Sequence, residues 1–163
     1  ASTIATIESL ISQGGDGGID LLSLDERQRL VVATLPQLSI KEGRVTIAGV
    51  HDPLLDHPVI ERLANEGCAP TAPNGITPPE LRRLAKAGLL FERDGEWFHI
   101  SALDTARAVA AQLLQTNPDG FTMSQFREAL GVTRKHSVPL AGELDARAMT
   151  RRRGDVRIAG PKL

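Results

Sequence analysis

The stretch FTMSQFREALGVTRKHSVPLAGELDARAMTRRRGDVRIAG, residues 121–160, decides the fold of this chain. It starts with a capping box from Thr122 to Gln125, and Gly131 stops the helix that follows. A second helix begins directly after this turn, and the runs on both sides of Gly154-Asp155 predict a hairpin. Two helices joined by a tight turn and followed by a hairpin form a helix-turn-helix with a wing.

The helices around this turn carry further signals. Residues 105–114 are amphipathic and supply a leading helix, while Thr133 is placed to cap the second helix. Pro139 lies too deep in the second helix for its first turn, so the carbonyl of Lys135 loses its partner. We therefore expect this helix to bend at Pro139.

Similar units of a helix and a hairpin recur upstream. The hairpins cover residues 38–49, 89–100 and 149–160, and the tails RVTIAG and DVRIAG nearly coincide. Because the hairpins recur at a spacing of 50 to 60 residues, the chain reads as a duplicated domain. The predicted fold class is α+β and mainly helical, with tandem winged-helix domains. We place these domains at residues 1–50, 51–103 and 104–163.

The first two units look reduced by comparison. QGGDGG at residues 13–18 reads as a flexible break, and GCAPTAPNGI at residues 67–76 occupies the place of the middle unit's second helix. A capping box from Thr77 to Glu80 then starts a helix of about ten residues that ends at Gly88. We expect irregular helix-turn-helix elements in both units.

Composition restricts the class of protein. The 163 residues are 41% hydrophobic and 24% charged, which is ordinary for a globular chain. No apolar stretch approaches the roughly 20 residues that a bilayer requires. A single cysteine, Cys68, fits a reducing cytoplasm better than a disulfide scaffold. The chain opens at Ala1 without methionine, so we expect a cytoplasmic fragment of a longer protein.

The net charge of −1 conceals an asymmetry along the chain. Residues 1–103 carry nine Lys and Arg against fourteen Asp and Glu, whereas residues 117–163 carry nine against five. A basic region of this kind is typical of contact with a polyanion. The acidity of the first two units should keep them away from nucleic acid.

The basic residues of the last unit fall on its second helix and its wing. Because these two elements project towards the same ligand in a winged helix, their side chains predict nucleic-acid binding. The helix N-terminus adds unpaired amides that favour anions. The candidate nucleic-acid-binding residues are Arg134, Lys135, His136, Arg151, Arg152, Arg153 and Arg157, with Arg127 a weaker candidate.

A different interpretation is that the consecutive arginines form a solvated edge that prevents strand pairing. Strand alternation also places Arg152 on the face opposite to Arg151 and Arg153, so the three cannot all contact one ligand.

Other chemistry finds little support in the sequence. His51, Asp52, Asp56 and His57 lack a fixed ligand geometry around their prolines, so we predict no metal site there. Neighbouring helix positions point apart, which discounts His136 and Ser137 as a base and nucleophile. Cys68 has no activating cation nearby, and the glycine runs lack a phosphate-loop lysine. The few aromatic residues, Phe91, Trp97, Phe98 and Phe121, suit a core better than a stacking platform.

Residues 121–160 resemble the last winged helix of the bacterial selenocysteine-specific elongation factor SelB. The resemblance rests on the FREALG helix, on TRKHSVPLAGELD with its internal Pro139, and on the TRRRGDVR wing. The upstream units resemble the preceding winged helices of that family by pattern only. The sequence departs from the family at His136, where a tyrosine is common, and at Gly142 inside the helix.

The resemblance implies a monomeric fragment that catalyses no reaction and needs no cofactor, since the GTP and tRNA sites of the family lie elsewhere. It implies that Arg134, Lys135, Arg157 and the wing arginines contact the SECIS hairpin of a messenger RNA, with the ribosome as a further partner of the whole protein. Selenocysteinyl-tRNA would thereby reach an in-frame UGA codon. Two other functions stay open: a regulator that binds duplex DNA, and a module that docks an acidic protein.

Overall fold

The computed structural model describes residues 2–48 and 52–163, and its contacts divide the chain into two compact units, Ala1–His57 and Pro58–Leu163. The division into three domains, which was inferred from the repeated helix-and-hairpin units, stays a prediction. The second unit holds the last predicted domain and the middle one from Pro58 onward, and the predicted boundary at residues 103 and 104 falls inside a helix.

The first unit contains two helices and a small antiparallel sheet. The elements are α1 (Thr3–Gln13), β1 (Ile19–Asp20), α2 (Glu26–Thr34), β2 (Leu38–Lys41) and β3 (Arg44–Ile47). The strand order is β1-β3-β2, and Val45 pairs with both Ile19 and Ile40. The core consists of Ile7, Ile11, Leu24, Val32 and Val45. Strand β1 and two short 3-10 turns lie between α1 and α2, in agreement with the predicted irregular helix-turn-helix.

The glycine-rich segment of this unit is not a loose break, contrary to the prediction. The Arg44 guanidinium donates hydrogen bonds of 2.6 Å to the carbonyls of both Gly17 and Gly18. Gly18 also has a φ of +64° and lies so close to Val45 that a Cβ atom would overlap the Val45 carbonyl. The glycines therefore serve close packing of this segment on β3.

The second unit contains two helix-and-hairpin modules. The middle module comprises α3 (Pro58–Glu66), α4 (Pro78–Lys86), β4 (Leu90–Arg93) and β5 (Glu96–His99). The C-terminal module comprises α5 (Ile100–Thr116), β6 (Phe121–Thr122), α6 (Met123–Leu130), α7 (Arg134–Ala146), β7 (Thr150–Arg153) and β8 (Val156–Ala159). Strands β4 and β5 form a two-stranded sheet, and the last three strands are ordered β6-β8-β7. The leading helix, α5, is longer at both ends than the predicted 105–114.

Local signals in the sequence account for most of these boundaries. Both predicted capping boxes form, from Thr77 to Glu80 and from Thr122 to Gln125. Gly131 ends α6 in the left-handed conformation with φ 69°, which glycine adopts without steric cost. Residues 67–77 contain no helix, as predicted.

Helix α7 differs from expectation at its cap. Thr133 occupies the N-cap position with extended backbone, but its side chain accepts no hydrogen bond. The helix runs without interruption through Pro139, which is buried, and the bend at this residue stays a prediction.

One hydrophobic core joins the middle and C-terminal modules. It contains aromatic residues from both hairpin regions and alanines and leucines from α5 and α7. Phe91 and Phe98 stack with ring centroids 5.1 Å apart, and Phe121 stacks on Phe126 at 5.5 Å. The aromatic residues Phe91, Phe98 and Phe121 are therefore core residues, as predicted, and the two modules share them in one folding unit.

Candidate nucleic-acid interface

The first turn of α7 presents two cations with different surroundings. Arg134 is exposed, and its side chain forms no hydrogen bond or ion pair with the described residues. The Lys135 side chain is 66% exposed, and its Nζ lies 3.6 Å from Glu96 Oε1 of β5. The first-turn amides have no side-chain cap, because the Thr133 hydroxyl does not engage them. This end of α7 therefore combines free donors with one free and one weakly paired cation.

His136 is largely covered, unlike these two cations, and its role as an RNA-binding residue stays a prediction. Its side chain is 12% exposed, and Nε2 donates to the Pro70 carbonyl at 3.0 Å, which requires the proton on Nε2. The ring meets Phe98 edge-on at 6.2 Å. Nε2 also lies 3.7 Å from Glu96 Oε2. His136 therefore attaches the start of α7 to the middle module.

The register of the wing separates its arginines onto two faces. Arg151 pairs with Ile158, Arg152 with Arg157 and Arg153 with Val156 in the antiparallel ladder. Because paired residues project to the same face, Arg152 shares the face of Arg157, and Arg151 and Arg153 lie on the other. This confirms the predicted alternation of the three consecutive arginines.

The face of Arg157 is directed at α7. The Arg157 side chain is 17% exposed, and its Nε donates to Asp145 Oδ2 at 3.0 Å. The other Asp145 oxygen accepts from the buried Thr150 hydroxyl at 2.6 Å. Arg157 therefore attaches the wing to the end of α7. Its guanidinium is occupied and largely covered, and its role as an RNA-binding residue stays a prediction.

The remaining candidate cations are exposed to different degrees. Arg151 and Arg153 are exposed and form no hydrogen bond or ion pair with the described side chains. Arg152 is exposed and donates only a 3.3 Å bond to the Gly154 carbonyl at the tip of its own turn. Arg127 on α6 is 40% exposed and lies 4.0 Å from Glu128. The free cations of the predicted site are thus Arg134 and the wing residues at positions 151–153.

Sequence reasoning missed the contact that holds α7 against the middle module. Glu143 accepts hydrogen bonds of 2.8 Å from Arg93 of β4 and from Arg147. Burial raises the pKa of Glu143, but the hydrogen bonds from the two arginines outweigh burial, and the pKa lies below its ordinary value. The pKa of Arg93 is raised by its hydrogen bond to Glu143. Only the Glu143-Arg147 spacing of four residues could have signalled part of this cluster.

The same contact explains the glycine inside α7. A Cβ atom at Gly142 would lie 3.1 Å from Cδ of Arg93, so the absence of a side chain lets Arg93 cross the helix to Glu143. His136 and Gly142, the two departures from the family pattern, therefore both lie at the junction with the middle module.

Outside this interface the described residues offer little chemistry. They contain no group of three His, Cys, Asp or Glu side chains placed to hold a metal ion, and His51 lies outside the described residues. Burial raises the pKa of the Cys68 thiol, which disfavours the reactive thiolate. The Ser137 hydroxyl is buried and has no hydrogen-bond partner in the described part of the chain. No helix in those residues is long and apolar enough to cross a bilayer.

The fold and the free cations together define a tandem winged-helix protein with a basic C-terminal wing. Residues 112–159 match the family model described as elongation factor SelB, winged helix. This match spans less than half of the chain and confirms the resemblance stated for residues 121–160.

The chain is also similar to two solved structures. The chain is similar to the crystal structure of a bacterial selenocysteine-specific elongation factor, EF-Sec, with a TM-score of 0.64 and 18% identity. That similarity covers 96% of this chain and 29% of EF-Sec. The second structure is the mRNA-binding domain of elongation factor SelB from E. coli in complex with SECIS RNA, which this chain matches with a TM-score of 0.47 and 23% identity. That similarity covers 50% of this chain and 68% of the E. coli domain. Comparison with curated protein sequences gives no match.

Proposed function

We propose that this chain is the messenger-RNA-binding part of a selenocysteine-specific elongation factor. Its C-terminal module binds a SECIS hairpin, so that selenocysteinyl-tRNA is delivered at an in-frame UGA codon. The observation that carries this proposal is that the SelB-type match, residues 112–159, covers the module whose helix start and wing present free cations. The partner follows from the family of that module and from the charge of its surface.

In this proposal Arg134, Arg151 and Arg153 contact the phosphate backbone and position the hairpin. Arg152 contributes from the tip of the wing, and Lys135 does so when phosphate replaces Glu96 beside its ammonium group. Unpaired loop bases supply the specificity, because sequence-specific RNA recognition usually reads splayed bases. The chain acts in the cytoplasm as a monomer, catalyses no reaction, needs no cofactor, and reaches the ribosome as part of the longer protein.

A salt-dependent titration tests the proposal. The whole chain is titrated with a labelled SECIS hairpin from the same organism, with a hairpin whose loop is scrambled, and with a DNA duplex of equal length. Tighter binding of the native hairpin, with a salt slope that corresponds to a few phosphate contacts, supports the proposed function. Equal affinity for all three nucleic acids would mean that the wing is a general basic surface, and it would contradict the proposed function.

A further inference from the structure

A second cationic surface lies on α4 of the middle module. Leu81 and Leu84 are buried at 5% and 0% exposure, so the helix packs through one face. Arg82 and Lys86 are exposed on the other side, one turn apart, and form no hydrogen bond or ion pair with the described residues. Arg83, between them in sequence, is partly exposed. The outward face of α4 thus carries two unpaired cations beside the exposed Pro79.

The only carboxylate on α4 is already engaged. Glu80 accepts hydrogen bonds from the Thr77 hydroxyl at 2.7 Å and the Thr77 amide at 3.2 Å in the capping box. It therefore lies in the first turn with Oε1 directed at the cap, while Lys86 is in the last turn. The positive charge of Arg82 and Lys86 is not balanced within the helix.

Helix α4 occupies the same place in its module as α7 does in the C-terminal module. A three-residue link joins each helix to its hairpin, and the last residue of the link donates to a carbonyl of the helix. These hydrogen bonds are Leu89 to Leu84 at 3.1 Å and Met149 to Leu144 at 3.0 Å. In a winged helix this is the recognition helix, the element that usually contacts the nucleic acid.

The acidity of the upstream sequence does not extend evenly to this module. Residues 1–57 carry four Lys and Arg against eight Asp and Glu, whereas residues 58–103 carry five against six. The first unit is therefore clearly acidic and is expected to repel RNA, whereas the middle module is close to neutral and is not. The middle module also shares its core with the C-terminal module, so RNA held by the wing is held by the same folding unit.

We infer that the α4 face of Arg82 and Lys86 is a second RNA contact, which binds the phosphate backbone of a duplex without reading its sequence. The inference relies on the proposed function only for the class of partner. A duplex is favoured over an acidic protein because the surface is a short cationic face on a recognition helix, and no exposed large aliphatic or aromatic side chain of α4 is available to anchor a protein.

The test uses the whole chain, a labelled RNA duplex of mixed sequence without a loop, and two matched double variants. Arg82→Gln with Lys86→Gln removes the α4 cations. Arg27→Gln with Lys41→Gln removes two exposed cations of the first unit, which also lack partners among the described residues, and changes the net charge equally. We expect the α4 variant to reduce duplex affinity about threefold to tenfold and the salt slope by about two, and the control to leave both nearly unchanged.

Circular dichroism melting of each variant separates a structural role from a binding role. Cations in the last turn of α4 also favour the helix dipole, but that role would lower the melting temperature and leave the salt slope intact. Equal losses in both double variants, or an unchanged slope in the α4 variant, would overturn the inference and assign the α4 cations to solvent or to an acidic partner.

A third variant distinguishes this inference from the proposed function. Arg151→Gln with Arg153→Gln removes the free cations of the wing. If this variant abolishes hairpin binding while the α4 variant binds duplex normally, the proposed function stands and the α4 contact is wrong. If duplex binding depends on α4 while wing substitution leaves hairpin binding intact, the α4 contact stands and the proposed function is wrong.

Discussion

The two modules of the second unit use the same elements in opposite ways. In the middle module the hairpin is engaged, because Arg93 bonds to Glu143 and Glu96 lies beside Lys135 and His136. In the C-terminal module α7 is engaged by these contacts, and the wing arginines at positions 151 and 153 are free. The middle module instead keeps its helix face free. Packing one module on the other therefore leaves the outward face of α4, the start of α7 at Arg134 and the C-terminal wing available for a ligand.

The largest expected effect comes from the free wing. Arg151→Ala with Arg153→Ala should weaken binding of the native hairpin by about a hundredfold or more, because each of the two charge-assisted contacts with phosphate contributes about 1.5 kcal/mol or more. The salt slope should fall by about two. Fluorescence anisotropy at four salt concentrations measures both quantities. An unchanged slope would place the RNA away from the wing and remove the contrast between the modules.

Arg157→Ala should act on stability and leave the salt slope of RNA binding unchanged. Removing Arg157 leaves Asp145, which is 27% exposed, without its cation and loosens the wing from α7. We expect a loss of about 1–2 kcal/mol in the free energy of unfolding, less than for a fully buried pair because some exposure remains.

Urea denaturation of the folded chain measures this loss, and Arg153→Ala is the matched control on the same hairpin. The control should unfold like the unmodified chain, since Arg153 is exposed and unpaired. A reduced salt slope with normal stability in Arg157→Ala would place Arg157 at the RNA contact.

Arg157 and His136 show how far the sequence could predict the site. The basic cluster, the helix-turn-helix and the strand alternation were all readable, because each depends on local periodicity or turn chemistry. The hydrogen bonds of Arg157 with Asp145 and of His136 with Pro70 could not be read from the sequence, because these partners lie 12 and 66 residues away. A cation's sequence position gives its strand or helix, while its availability depends on tertiary partners.

The same limit applies to the fold. The repeat of helix and hairpin was predicted from its spacing, and the loop at residues 67–77 from its glycines and prolines. The shared core of the last two modules was not predicted. The contacts of Phe91 and Phe98 with α5 and α7 join distant parts of the chain and leave no periodic pattern in the sequence. Gly142 looked unfavourable within a helix and has its reason only in the side chain of Arg93.

The junction between the modules should weaken in acid. The Glu143 pKa is depressed, so its stabilising contribution is complete above the ordinary pKa of a glutamate and is lost as pH falls through the lower folded-state value. We expect unfolding monitored by tryptophan fluorescence to show a loss of stability below about pH 4.5. This loss should be smaller in Glu143→Gln, with Glu128→Gln as an exposed control. Identical acid profiles for the three proteins would contradict a stabilising role of Glu143.

Glu96→Gln has the smallest expected effect, and it is the one variant here that should raise the affinity for the hairpin. Glu96 Oε1 lies 3.6 Å from the Lys135 ammonium group, whose side chain is 66% exposed, so a phosphate competes with this carboxylate for the same cation. Neutralising Glu96 should raise hairpin affinity about twofold to threefold, and the salt slope should increase by up to about one. Glu92→Gln on the same hairpin is the matched control, since Glu92 accepts only from the Gly95 amide. If Glu96→Gln instead weakens binding, Glu96 acts by holding His136 and the start of α7 in place. The middle hairpin would then support the interface without competing for its cations.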